Sequence, residues 1–335
     1  MKVIRSICLH TKDAVGKETK LLGLAKRLED HGFIVQTKRL CSPTKDIRLF
    51  EASVTDPNIL LSVGKISHDE YSAIAPDFLE TQRTSLCVDL TQEEINEAVV
   101  QTLFDIIKTN PQKTFNFAYV FNDLASSPFF PSAFYEQEGF SIGLQSTDLS
   151  ENLPGLQDWL DAQKTVWSEI IEIFKDEQDF LGIDSSIAPL FHGVSSLADL
   201  TKRICGGFSE SVMSDFYVNL TRFIKTQNPK PIGLCGLMLP CLEDFELAEE
   251  YSQGEFSLER NLFLSLHSGL GIDTYPMGID EDMAKLASIL KLVQGLSNKY
   301  KKPLSVRFVS DGKAKIGEMT DFKNQYLKDV IVRSL

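Results

Sequence analysis

The sequence predicts an α/β fold, and three observations predict it. Short apolar runs alternate with amphipathic stretches of helix length through about the first 150 residues. The intervals between strand-like runs are long enough for crossover helices, which is what parallel pairing requires. No Gly/Ser-rich linker divides the chain, so residues 1–335 read as a single domain with a helical middle segment at about 151–226.

The elements follow in order. "MKVIRSICLH" is a short, β-branched opening strand. "KETKLLGLAKRLEDHGF" places Leu21, Leu24, Ala25 and Leu28 at helical spacing, and Gly32 suits its stop. "FIVQTKRL", "NILLSVG" and "SLCVDL" read as three further strands. "TQEEINEAVVQTLFDIIKT" reads as a long helix, with Thr91 and Glu94 spaced as a capping box. "FNFAYVF" is another strand. "LPGLQDWLDAQKTVWSEIIEIFKDEQDFLG" is one helix or two and carries both tryptophans, and helical periodicity returns in "ESVMSDFYVNLTRFIKT". "PIGLCGLML" reads as a strand stopped by Pro240. Three helices ("LEDFELAEEYSQG", "SLERNLFLSLHSG", "DEDMAKLASILKLVQGLSNKY"), the strand "KPLSVRFV" and a hairpin arm at "KAKIGEM" complete the chain.

Composition narrows the function. Hydrophobic residues make up 43% of the chain, enough for a sizeable core, and the net charge is −13. Nonspecific nucleic-acid binding rests on neutralising phosphates, so so acidic a body argues against it. No apolar window approaches the length of a membrane span, and the opening run is too short for a secretory signal. Six dispersed cysteines without CxxC suit free thiols in a reducing compartment, so the expected location is cytoplasmic. Nucleotide motifs are missing: "SGLGID" has Thr274 where a third glycine would fall, and neither GxxxxGK[ST] nor GxSxG occurs. The five histidines show no metal-ligand spacing.

Four stretches carry candidate chemistry. In "CGLMLPCLED" (235–244) a strand ends at a proline, and Glu243 and Asp244 open a helix. Carboxylates there suit the helix dipole. They would also lie where ligands gather in α/β folds, beyond a strand's carboxyl end. "SLHSGLGIDTYPMGID" (265–280) ends a helix in a glycine-rich turn flanked by Asp273 and Asp280. Those oxygens suit Mg²⁺ or Ca²⁺, which leaves a divalent metal open as a cofactor. "GIDSSIAP" (182–189) sets Asp184 and Ser185 in a turn. In "PFFPSAFY" (128–135), two prolines rule out an interior strand, while Phe129, Phe130, Phe134 and Tyr135 can fill a core gap or wall a pocket.

These blocks in order resemble an uncharacterised prokaryotic family, domain of unknown function 711. The resemblance runs from near residue 1 to about residue 330. It is carried most specifically by "FNFAYVFNDLASSPFFPSAFYEQEGFSIGLQSTDL", with "GFIVQTKRL", "GIDSSIAP", "GLCGLMLPCLED" and "GLGID" in support. It implies a ten-stranded α/β barrel like that of the glycyl radical enzymes related to pyruvate formate-lyase, with helices outside and a loop entering the barrel. The radical chemistry is not implied, because no glycine follows Gly317. The chain also departs from the family pattern. Ser268 stands where many relatives have Cys, Tyr135 where they have His, and Gly278, Ile279 and Asp280 where they have Pro-Gly-Asp.

The functional expectation is an enzyme acting by acid/base chemistry on a small polar or anionic metabolite inside the barrel. Asp244, Glu243, Cys235 and Ser268 are the candidate catalytic residues. Asn122, Phe129, Phe130, Tyr135, Asp184, Ser185, Asp273, Asp280 and Arg307 are candidate substrate contacts, with Arg307 suited to a carboxylate or phosphate. The alternative is a metabolite-binding or regulatory protein without turnover. The expected partners are a small-molecule ligand and further copies of the chain in a homo-oligomer, with no nucleic acid or membrane.

Overall fold

The computed structural model describes residues 1–153 and 155–335. Its first half runs β1 (Val3–His10), α1 (Glu18–Asp30), β2 (Ile34–Val35), β3 (Lys38–Cys41), α2 (Ile47–Ser53), β4 (Ile59–Ile66), α3 (His68–Glu80), β5 (Thr84–Asp89), α4 (Glu97–Thr109) and β6 (Phe117–Phe121). Then come β7 (Gly139–Leu144), α5 (Leu156–Ile173), β8 (Phe180–Asp184), α6 (Leu197–Cys205), α7 (Phe208–Val212) and α8 (Phe216–Thr226). The chain ends with α9 (Phe245–Gln253), α10 (Leu258–His267), β9 (Gly271–Pro276), α11 (Met283–Tyr300) and β10 (Leu304–Val309).

The strands form one mixed sheet in the order β8-β7-β1-β3-β4-β5-β6-β10-β9, with β2 added beside β1. β1, β3, β4, β5 and β6 are parallel to one another, as are β7 with β8 and β9 with β10. The two sets meet antiparallel at β1/β7 and β6/β10. Among the described residues the ladder does not close on itself. Residues 231–239, expected as a strand stopped by Pro240, form only isolated bridges among the described residues, Ile183 to Pro231 and Ile187 to Leu237 on one side and Leu237 to Gly269 on the other, with Pro240 itself bridging to Asp273. The backbone explains this: Gly233 and Cys235 take φ of 70° and 44°, and Pro231 and Pro240 lack an N–H.

Other local expectations also shift. α4 starts six residues after Thr91, capped by Asn96, whose side chain accepts from Val99 N. The Thr91 hydroxyl instead donates to Asp89 Oδ1 at 2.5 Å. The "GLGID" turn opens β9, where a Cβ on Gly271 would sit 2.0 Å from Ser305 O. The middle segment includes β8 among its helices. α3, not foreseen, has a complete capping box at Ser67 and Glu70 but carries Pro76 within it. The hairpin arm near residue 317 pairs antiparallel through Met319 and Ile331. Among the described residues no helix is long and apolar enough to cross a membrane.

Strand alternation separates two faces. Leu40, Leu61, Leu86, Val88, Phe117, Tyr119, Val306 and Phe308 join the main core with the helices. Several of their sequence neighbours on the other face are small or polar. Arg39, Ser85, Ala118, Ser305 and Arg307 line a cavity there, and Cys87, Ala118 and Val120 form a separate small cluster.

Candidate functional site

The aromatic loop between β6 and β7 runs along this second face. Ser6 Oγ donates to Pro128 O at 2.7 Å, and Ser62 Oγ and Cys41 Sγ reach Ala133 O at 3.4 and 3.7 Å. Ser127 Oγ donates to Asp184 Oδ2 at 2.7 Å. A Cβ on Gly143 would lie 2.4 Å from the Phe129 ring, so only glycine leaves room for that ring against β7. The tip, Phe129 to Ser132, becomes a wall of a cavity of about 160 Å³. The loop therefore packs the interior and shapes the pocket together.

Three arginines and two carboxylates face this cavity: Arg5, Arg39 and Arg307 with Glu243 and Asp273. Glu243 bridges two of the arginines, taking Arg307 Nη2 at 2.6 Å and Arg5 Nη2 at 3.2 Å on different oxygens. Arg307 Nε donates to Asp273 Oδ1 at 2.6 Å. Burial pulls the Arg307 pKa down, but Asp273 and Glu243 together outweigh it and leave the guanidinium above its ordinary value. For Arg5 burial wins over Glu243, and its pKa falls.

Arg39 is different. Its Nε donates to Thr37 Oγ1 at 3.1 Å and its guanidinium lies 4.9 Å from the Phe130 ring centre. Among the described residues it has no carboxylate partner, and its terminal nitrogens make no hydrogen bond. Burial, with Arg5 adding repulsion, pushes its pKa down to about 9. It remains cationic at neutral pH, so the cavity carries one net positive charge from three guanidiniums and two carboxylates. The rest of the lining is mainly apolar, relieved by Ser85, Asn116, Ser132 and Ser305. Tyr326, from the C-terminal segment, lines it too, its ring 5.7 Å from Phe191 and 6.4 Å from Phe115.

Of the residues singled out from the sequence, Phe129, Phe130, Glu243, Asp273 and Arg307 come together here. The others do not line the cavity. Asp244 caps α9 and is wholly buried. It accepts from Ser196 Oγ at 2.5 Å and from the N–H groups of Leu197, Ala198 and Leu247 at 2.9, 3.3 and 3.2 Å. Burial raises its pKa to about 6 against those donors, but its oxygens are engaged, so it is a structural cap instead of the acid/base. Asp184 takes Ser127 Oγ, Ser186 Oγ and the N–H groups of Ser186, Leu234 and Cys235. Ser185 Oγ donates to Ile224 O. Burial, then Asp184, pushes the Cys235 thiol up to about 11, which removes the thiolate a nucleophile needs.

Ser268 ends α10 and its Oγ lies 2.7 Å from His267 Nδ1. Asn122 Nδ2 ties the end of β6 to Ser297 and Asn298 on α11. Among the described residues the Tyr135 hydroxyl reaches only Glu138 Oε1, at 3.5 Å. Asp280 is exposed and accepts from Ile316 N, whereas Asp273 pairs with Arg307, so these two aspartates serve different partners. Among the described residues no three His, Cys, Asp or Glu side chains gather as a metal site. Arg5 and Arg39 escaped the sequence reading, although each is a charged residue next to buried apolar residues of its strand.

A family model described as Uncharacterised ACR (DUF711) matches residues 64–324. The chain belongs to this family. The DUF711 match covers the aromatic loop, Glu243, Asp273 and Arg307, while Arg5, Arg39 and Tyr326 lie outside it. No curated protein matches the chain.

Proposed function

We propose that the cavity is a ligand site for a small anion, and that the protein acts on it by acid/base chemistry. Arg39 carries this reading: a buried guanidinium without a counter-ion is costly, and an anion in the cavity would supply the missing partner. Convergent polar groups in a mostly apolar cavity are the usual picture of a small-molecule site. Within it the acid/base role passes from Asp244 to Asp273. Asp273 Oδ1 is held by Arg307, while Oδ2 has no hydrogen-bond partner among the described residues. Glu243 has both oxygens taken by arginines and serves as the strut between them.

The sheet is, in this reading, a barrel like that of the pyruvate formate-lyase relatives, closed by residues 231–240. Support comes from Ile187 N and Met238 N, which exchange bonds with Gly236 O and Ile187 O at 3.0 and 2.9 Å. On the other edge Leu270 N donates to Leu237 O at 2.9 Å and Cys241 N to Asp273 O at 2.9 Å. The six unpaired thiols suit a cytoplasmic setting. A binding protein without turnover shares the same anion site and differs only in the role of Asp273.

Native mass spectrometry of the protein mixed with a library of small metabolites tests the reading. The expected result is an anionic adduct at unit stoichiometry, lost in Arg39→Met, with Asp273→Asn still forming the adduct but blocking any turnover. An adduct that survives Arg39→Met unchanged, or no anionic adduct at all, contradicts it.

A further inference from the structure

We infer that the cavity selects a monocarboxylate with an apolar body over a phosphate dianion. The inference rests on the anion-site reading and adds the charge, size and shape of the ligand. Charge comes first. Glu243 and Asp273 already occupy Arg5 and Arg307, so one guanidinium, Arg39, is left to be matched. One carboxylate brings the cavity to neutrality. A phosphate dianion would leave a net negative charge in an apolar enclosure, where an unpaired charge is expensive. No lysine or histidine lines the cavity, among the described residues, to absorb a second charge.

Geometry agrees with charge. The Nε bond to Thr37 and the face of Phe130 fix the Arg39 guanidinium on one side and one surface. Its two terminal nitrogens remain, and that is the fork which meets the two oxygens of a carboxylate. Size then limits the remainder. An engineered cavity of about 150 Å³ in another protein holds benzene. The volume of about 160 Å³ here fits a body of that order. Nucleotides and sugar phosphates are larger. Leu60, Ala118, Phe129, Leu237 and Leu270 give that body apolar walls.

The test compares matched probes by thermal shift and titration calorimetry: hexanoate and benzoate, then phenyl phosphate at pH 8, where it is a dianion, then neutral benzamide. Hexanoate or benzoate should bind at least about tenfold more tightly than phenyl phosphate or benzamide, the scale of one charge-assisted pair. Arg39→Met should lose that preference, and Arg39→Lys, which keeps the charge without the fork, should fall between. Asp273→Asn adds one positive charge to the cavity and should shift preference toward phenyl phosphate. Phenyl phosphate binding as tightly as both carboxylates in the unaltered protein would overturn the monocarboxylate assignment and leave the anion site standing. Binding by neither anion series, or by benzamide equally well, would overturn both.

Discussion

Buried charge is handled in two opposite ways in this molecule. At Asp184 and Asp244 each carboxylate is surrounded by backbone N–H and serine donors that tie separate segments together. Around the cavity, charges face one another, and one guanidinium is left over. Both regions are buried, and both contain residues that a sequence reader would nominate for catalysis. The difference lies in what remains unmatched. A carboxylate whose lone pairs are all taken holds structure, while a charge without a partner leaves room for a ligand.

Substitutions sharpen the contrast. Asp184→Ala orphans donors from three segments at once and should cost about 4 kcal/mol or more in urea unfolding, yet the folded fraction should keep its preference among anions. Glu243→Gln should cost about 3 kcal/mol, because two buried arginines lose their shared counter-charge. Unlike the Asp184 change, it should also alter anion preference. Equal ligand profiles for the two variants would erase the distinction between the regions.

Lys113 is a third case, a buried lysine that makes no ion pair among the described residues and does not line the cavity. Its Nζ donates to Thr84 O at 2.8 Å and Thr81 Oγ1 at 3.2 Å, and burial, opposed by Glu51, pushes its pKa down to about 7. The unfolded chain keeps this proton up to about pH 10.4, so it binds more protons than the fold between the two values. Stability should therefore rise with pH from about 7 upward, by at most about 1.4 kcal/mol per unit, and the cost of the buried charge is present in full below that window. Lys113→Met should flatten this term in unfolding curves taken at several pH values. An unchanged slope would show that Lys113 is not its source.

The α/β class and most elements were legible because their periodicity is strong. Leu21, Leu24, Ala25 and Leu28 all face the core as their spacing requires. The antiparallel junctions were not legible, since β7 is announced only by "GFSIGL", where two glycines weaken the strand signal. Residues 231–239 look like a strand by composition, but the positive φ values at Gly233 and Cys235 are fixed by Asp184, a partner far away in sequence. Asp244 illustrates the main ambiguity of the site. An acidic residue at a helix start is equally a cap and an acid/base candidate, and only its donors decide. Arg39 carried a usable signal, because "KRLC" places Arg39 and Cys41 on the face opposite Leu40, one a charge in a buried strand. What the sequence could not show is that no carboxylate meets it.

The most direct test measures ligand-free stability and ligand response together in Arg39→Met. The variant should be more stable than the unaltered protein, by about 1 kcal/mol, because an unmatched buried charge is gone. It should gain nothing from benzoate or hexanoate. A variant that melts lower and still responds to the carboxylates as before would contradict the claim that Arg39 awaits an anion.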